Sequence, residues 1–131
     1  MYSRDESLEK KVGIVVTGSL LYNSLMAAEE LQKEGIGASV LHMATIKPLD
    51  GAALEQFAAE HDALVTVEEH QIAGGLGSAV AEHLSMTHPI RIERIGVQDR
   101  FGESGNPDEL IAHFGMDISS IVEAGKRLFQ N

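Results

Sequence analysis

Val12-Gly13-Ile14-Val15-Val16-Thr17-Gly18-Ser19 decides the fold. Five of its first six residues are apolar or β-branched at Cβ, and the run stops at a small, hydroxylated turn. That is the pattern of a strand, Val12–Thr17, buried on both faces and ending at a helix start. Downstream, Leu21, Leu25, Ala28 and Leu31 recur at helical spacing, with Ser19 as expected N-cap and Gly35 as the stop.

Outward from this unit the pattern repeats. Ala38–Met43, Ala63–Glu68 and Ile90–Val97 read as further strands. Asp50 opens a helix carrying Leu54, Phe57 and Ala58, and the glycines at 74, 75 and 77 introduce another with Leu76, Val80 and Leu84 on one face. After the fourth strand two helical stretches are expected, Pro107–Phe114 and Ile118–Phe129, parted by Gly115 and with Asp117 capping the second. Alternating β and α units with continuously apolar strands imply an α/β domain, its mostly parallel sheet of four strands, or five with an edge strand that the resemblance below implies, covered by helices on both faces. Residues 12–131 form this domain; Met1–Lys11 reads as a polar arm or a linker remnant.

The chain has 131 residues, 44% of them hydrophobic, enough for one core. Twenty acidic residues against ten basic ones give a formal charge of −10, which opposes binding to phosphate backbones, so nucleic acid is not expected as a partner. No apolar run is long enough for a membrane span, and Met1–Glu6 lacks the order of a signal peptide, so the expected location is cytoplasmic. With no cysteine, disulfides, thiolate metal sites and cysteine nucleophiles drop out. The histidines at 42, 61, 83, 88 and 113 show no metal-ligand spacing, and neither a nucleophile elbow nor a Walker loop occurs.

Ligands of parallel sheets bind at the carboxyl ends of the strands, so the four tips are where chemistry is expected. At the first, Thr17-Gly18-Ser19 offers backbone N–H groups to an anion, unless Ser19 only caps the helix. At the second, Pro48 extends Lys47, which either stays solvated or pairs with a carboxylate on a neighbouring chain. The third is richest: Glu68, Glu69 and His70, then Gly74, Gly75 and Gly77. A catalytic reading makes His70 a general base; the extended chain, however, sends Glu69 and His70 to opposite faces, which favours a structural or interface role. The glycines do not form a dinucleotide fingerprint, because Gly75-Leu76-Gly77 is followed by Ser78-Ala79-Val80. At the fourth tip, Asp99, Arg100 and Phe101 suit contact with a partner or an anion, while Asp99 or Glu103 could instead neutralise Arg100.

Five strings in order, Val12–Ser19, Ala44–Asp50, Val65–His70, Gly74–Val80 and Asp99–Gly105, resemble the transketolase carboxy-terminal domain family, which also supplies domains of 1-deoxy-D-xylulose-5-phosphate synthase and of 2-oxo acid dehydrogenase beta subunits. The resemblance implies a three-layer α/β/α sandwich, with an antiparallel edge strand that here only Met1–Lys11 could form. It also implies thiamine diphosphate and Mg²⁺ in the whole enzyme, held by two other domains. No catalytic, cofactor or metal ligand is expected in this chain. The whole enzyme is expected to transfer two-carbon ketol units, with this chain serving packing against other domains or subunits and dimer or other homo-oligomer assembly, and not catalytic alone. The alternatives are a binding module for a small anion or regulatory metabolite, or the equivalent domain of deoxyxylulose-phosphate synthase or of a 2-oxo acid dehydrogenase beta subunit.

Overall fold

The computed structural model describes residues 6–43, 49–69, 75–97 and 107–130, the side chains of 107–116 excepted. Strand β1 (Lys10–Val16) leads through a short 3-10 turn (Gly18–Leu20) into helix α1 (Leu21–Lys33). Then follow β2 (Ile36–His42), α2 (Gly51–Ala59), β3 (Ala63–Glu69), α3 (Leu76–Thr87), β4 (Arg91–Val97) and α4 (Pro107–Arg127). The strands lie in the order β2-β1-β3-β4, and all three pairings are parallel. Strand β1 begins two residues before Val12: Lys10 and Lys11 already pair with Ile36 and Gly37. Among the described residues ahead of it no further strand occurs, and Met1–Asp5 lie outside them.

Strand alternation distributes the core between the two faces of the sheet. Val12, Ile14 and Val16 of β1 join Ala63, Val65 and Val67 of β3 beneath α1 and α4. Val15 and Leu64 point the other way, into a second core with Leu54 and Phe57 of α2 and Leu76, Val80 and Leu84 of α3. The result is an α/β/α sandwich. Gly13 faces the second core, where a Cβ would stand 2.9 Å from Phe57 Cζ and 2.8 Å from Leu64 Cδ2, so the Phe57 ring occupies the space a side chain would need.

The helix ends follow local chemistry in two places. Asp50 caps α2 by accepting the Ala53 N–H at 3.1 Å. Gly35 ends α1 with φ +86°, and its N–H donates to the Gln32 carbonyl at 3.1 Å.

Two expectations fail. Ser19 does not cap α1; Leu20 holds that position without a side-chain bond, and Ser19 lies in the 3-10 turn. The expected break at Gly115 is absent as well. Helix α4 runs unbroken for 21 residues, with Asp117 buried within it and not at a cap. A glycine inside a helix costs about 1 kcal/mol relative to alanine. Burial of Ile121 and Val122 against the first core outweighs that, since each large apolar side chain contributes roughly 1.5–3 kcal/mol. Gly125 lets α4 approach α1 closely: a Cβ there would stand 2.9 Å from Leu31 Cδ1.

Candidate functional site

Strand β3 lies inside the sheet, so its carboxyl end sits between the helices of both faces. Its last two residues are Glu68 and Glu69. Glu68 shares a face with Leu64 and turns toward α3, where Oε2 accepts the backbone N–H of Gly77 at 2.8 Å. Gly75 stands at the N-cap of helix α3, adopts φ +103° and has no side chain to serve as a cap. Glu68 therefore supplies from another element the acceptor that the helix end lacks, and its negative charge sits where the helix dipole favours one.

Glu69 points to the opposite face and is buried. Its Oε1 accepts the Ser19 hydroxyl at 2.5 Å, beside Gly18, whose φ of +63° turns the chain from β1 toward α1. Burial of a carboxylate is costly unless it is hydrogen-bonded, and Ser19 supplies that bond.

Gly77 is held between two further side chains: a Cβ there would lie 2.9 Å from Arg94 Cδ and 3.1 Å from Thr66 Oγ1. Arg94 Nη1 also donates to Ser78 Oγ at 3.4 Å, placing a cation beside the first turn of α3. The hydroxyls of Thr17 and Thr66 are buried with no hydrogen-bond partner among the described residues.

Of the sequence-derived candidates, Glu68, Gly75 and Gly77 come together at the start of α3, while Glu69 joins Ser19 across the sheet. His70, Gly74, Asp99, Arg100 and Phe101 lie outside the described residues, as does Lys47. Two of the described histidines have structural roles. His61 is buried on the Phe57 ring, centroids 4.4 Å apart, and its Nδ1–H donates to the Phe57 carbonyl at 2.6 Å; His83 pairs with Glu55 at 2.8 Å. The roles of Ser19 and Arg94 were not anticipated. An acidic strand end followed by a glycine-started helix is the signal that could have revealed the Glu68 cap.

Among the described residues, the donor set does not match thiamine diphosphate with Mg²⁺. Among the described residues there is no group of three His, Asp or Glu side chains able to hold a metal ion. The N–H that a diphosphate would seek at α3 already faces a carboxylate, and a second carboxylate follows it in the chain.

Sheet order, two-faced core and helix starts tied to one strand tip define an α/β/α domain of parallel, doubly covered type. Residues 2–121 match the family model described as "Transketolase, C-terminal domain", and the chain belongs to that family. It is 45% identical over 113 residues to the 6-deoxy-6-sulfo-D-fructose transketolase subunit SqwH of Clostridium sp. (strain MSTE9), covering 86% of this chain and 35% of that protein. It is 41% identical over 120 residues to 1-deoxy-D-xylulose-5-phosphate synthase of Aromatoleum aromaticum, covering 91% of this chain and 18% of that protein. The solved structure "Split gene transketolase, inactive beta4 tetramer" superposes with a TM-score of 0.74 at 44% identity, covering 91% of this chain and 39% of that one. The chain thus spans about a third or less of the length of these relatives' sequences.

Proposed function

We propose that this chain is the carboxy-terminal domain of a thiamine-diphosphate-dependent enzyme that transfers two-carbon ketol units between sugar phosphates, and that it supports domain packing and subunit assembly without carrying the chemistry. The observation that carries this reading is the double engagement of Glu68 and Glu69. Both carboxylates of the strand tip are committed to holding helix starts in place, which suits a rigid platform better than a catalytic pocket. The relatedness to a transketolase subunit supports the reaction class, and the relative described as an inactive beta4 tetramer supports self-association of such a chain without its complement.

A second reading keeps the role and changes the enzyme. Identity to the deoxyxylulose-phosphate synthase of Aromatoleum is close to that for the transketolase subunit, so the equivalent domain of a synthase is the alternative. A small-anion module is less well supported, because Glu68 competes for the N–H that such a ligand would use.

Isothermal titration calorimetry of the purified chain with thiamine diphosphate plus Mg²⁺, with sugar phosphates and with inorganic phosphate tests the reading, run beside a ketol-transfer assay. The expected result is neither heat nor turnover. Saturable heat with phosphate would favour the anion module, and turnover by the chain alone would overturn the proposal.

A further inference from the structure

Helices α1 and α4 pack side by side on one face of the sheet and leave a groove of about 400 Å³ between them. Its apolar lining is Met26 of α1 with Ile118 and Val122 of α4, and Tyr22 stands beside them 62% exposed. Glu29, Glu30 and Glu123 line it as well. Glu30 has Lys33 at 3.2 Å, an exposed pair within one helix and therefore weak, and Glu123 has half-buried Lys126 at 3.5 Å, a lysine that sits closer to Glu34, at 3.1 Å. Glu29 has no cation partner among the described residues. The groove thus joins an apolar lining and an exposed aromatic to a negative rim.

From this geometry we infer that the α1–α4 groove is a docking site for an amphipathic segment of another protein, one carrying an apolar anchor flanked by Lys or Arg. Charge complementarity selects this occupant. The whole chain carries −10, and a second copy docking by the same face would bring both sets of glutamates together. A basic segment instead adds contacts to Glu29, which has no cation partner among the described residues, and to Glu30 and Glu123. Tyr22 supplies the kind of anchor that dominates such interfaces, a large ring with a polar tip. Two neighbouring helices with an apolar seam between them also match the mode in which a helix lays its apolar face into a groove. The inference stands on this surface alone and does not depend on the chain serving a thiamine enzyme.

The test uses the purified full chain and a fluorescent, designed helical peptide with leucines on one face and lysines beside them. Its control has the same composition with the leucines scattered around the helix. Fluorescence anisotropy should show saturable binding of the amphipathic peptide, weakened about tenfold by Tyr22→Ala and by Glu29→Lys. Met86→Ala, at a site 86% exposed on α3, should leave it unchanged. Because Tyr22 and Glu29 are exposed, neither substitution threatens the fold. No binding, equal binding of the scattered control, or binding indifferent to both groove substitutions would overturn the proposal. So would a drop in molecular mass of Tyr22→Ala by light scattering, which would make a second copy the occupant.

Discussion

Glu68 and Glu69 are consecutive on β3, yet their carboxylates act on opposite faces of the sheet, one on the Gly77 N–H of α3 and the other on the Ser19 hydroxyl ahead of α1. Strand alternation produces this division, and it makes one strand end the common anchor of two helix starts.

The Glu68 contact is a helix cap supplied from a distance. Replacing Glu68 by Ala should lower the unfolding free energy by about 0.5–2 kcal/mol, the range for loss of an N-terminal cap. Urea denaturation of both proteins measures it. An unchanged midpoint would show that the bond contributes nothing.

Gly13 predicts a steric effect on the other side of β1. Gly13→Ala should cost about 1–3 kcal/mol, because the methyl group displaces the Phe57 ring and the Leu64 side chain. Combining it with Phe57→Leu should give a smaller loss than the two single changes added together. Strict additivity in the double-mutant cycle would refute the contact.

At Gly35 the cause is backbone conformation alone. With φ +86° and no atom within 4 Å of an added Cβ, Gly35→Ala should lose about 1–2 kcal/mol without any clash. Gly35→Asn should lose less, since asparagine tolerates the left-handed region better. Thermal unfolding would rank the three, and equal values for Ala and Asn would contradict the explanation.

Lys126 gives a pH signature. The Glu34 carboxylate, hydrogen-bonded at 3.1 Å, and then the nearby charge of Glu123 raise its pKa above the usual 10.5. A raised pKa in a base means that the folded state favours the charged form. The contribution is therefore complete below pH 10.5 and is lost as the pH rises through the folded value. The stability difference between the chain and Lys126→Met should be flat across neutral pH and shrink in strong alkali. A difference that grew with alkalinity would have the wrong sign.

Much of the fold was legible because its signals are local. The apolar runs of β1 and β3, Asp50 at the start of α2 and Gly35 after α1 each act over a few residues, and the structure uses them as read. The reading failed where burial competes with local preference. Gly115 and Asp117 look like a helix boundary in isolation, but the apolar stripe from Ile121 to Leu128 lies against the sheet and α4 stays continuous. Ser19 looks like a cap until Glu69, fifty residues away, takes its hydroxyl.

The sequence by itself determined that this is an alternating α/β chain, that its inner strands are buried on both faces and that its motifs resemble those of the transketolase carboxy-terminal family. Spacing and residue type carry that information, since strand period, helix period and turn chemistry are properties of neighbours in the chain. Tertiary structure alone decided the partners. It placed β1 between β2 and β3, set Glu68 on one helix and Glu69 on the other, fitted the Phe57 ring into the space above Gly13, and opened the acidic groove between α1 and α4. Each of these joins residues remote in the chain, and only packing of the sheet against both helix layers brings them together.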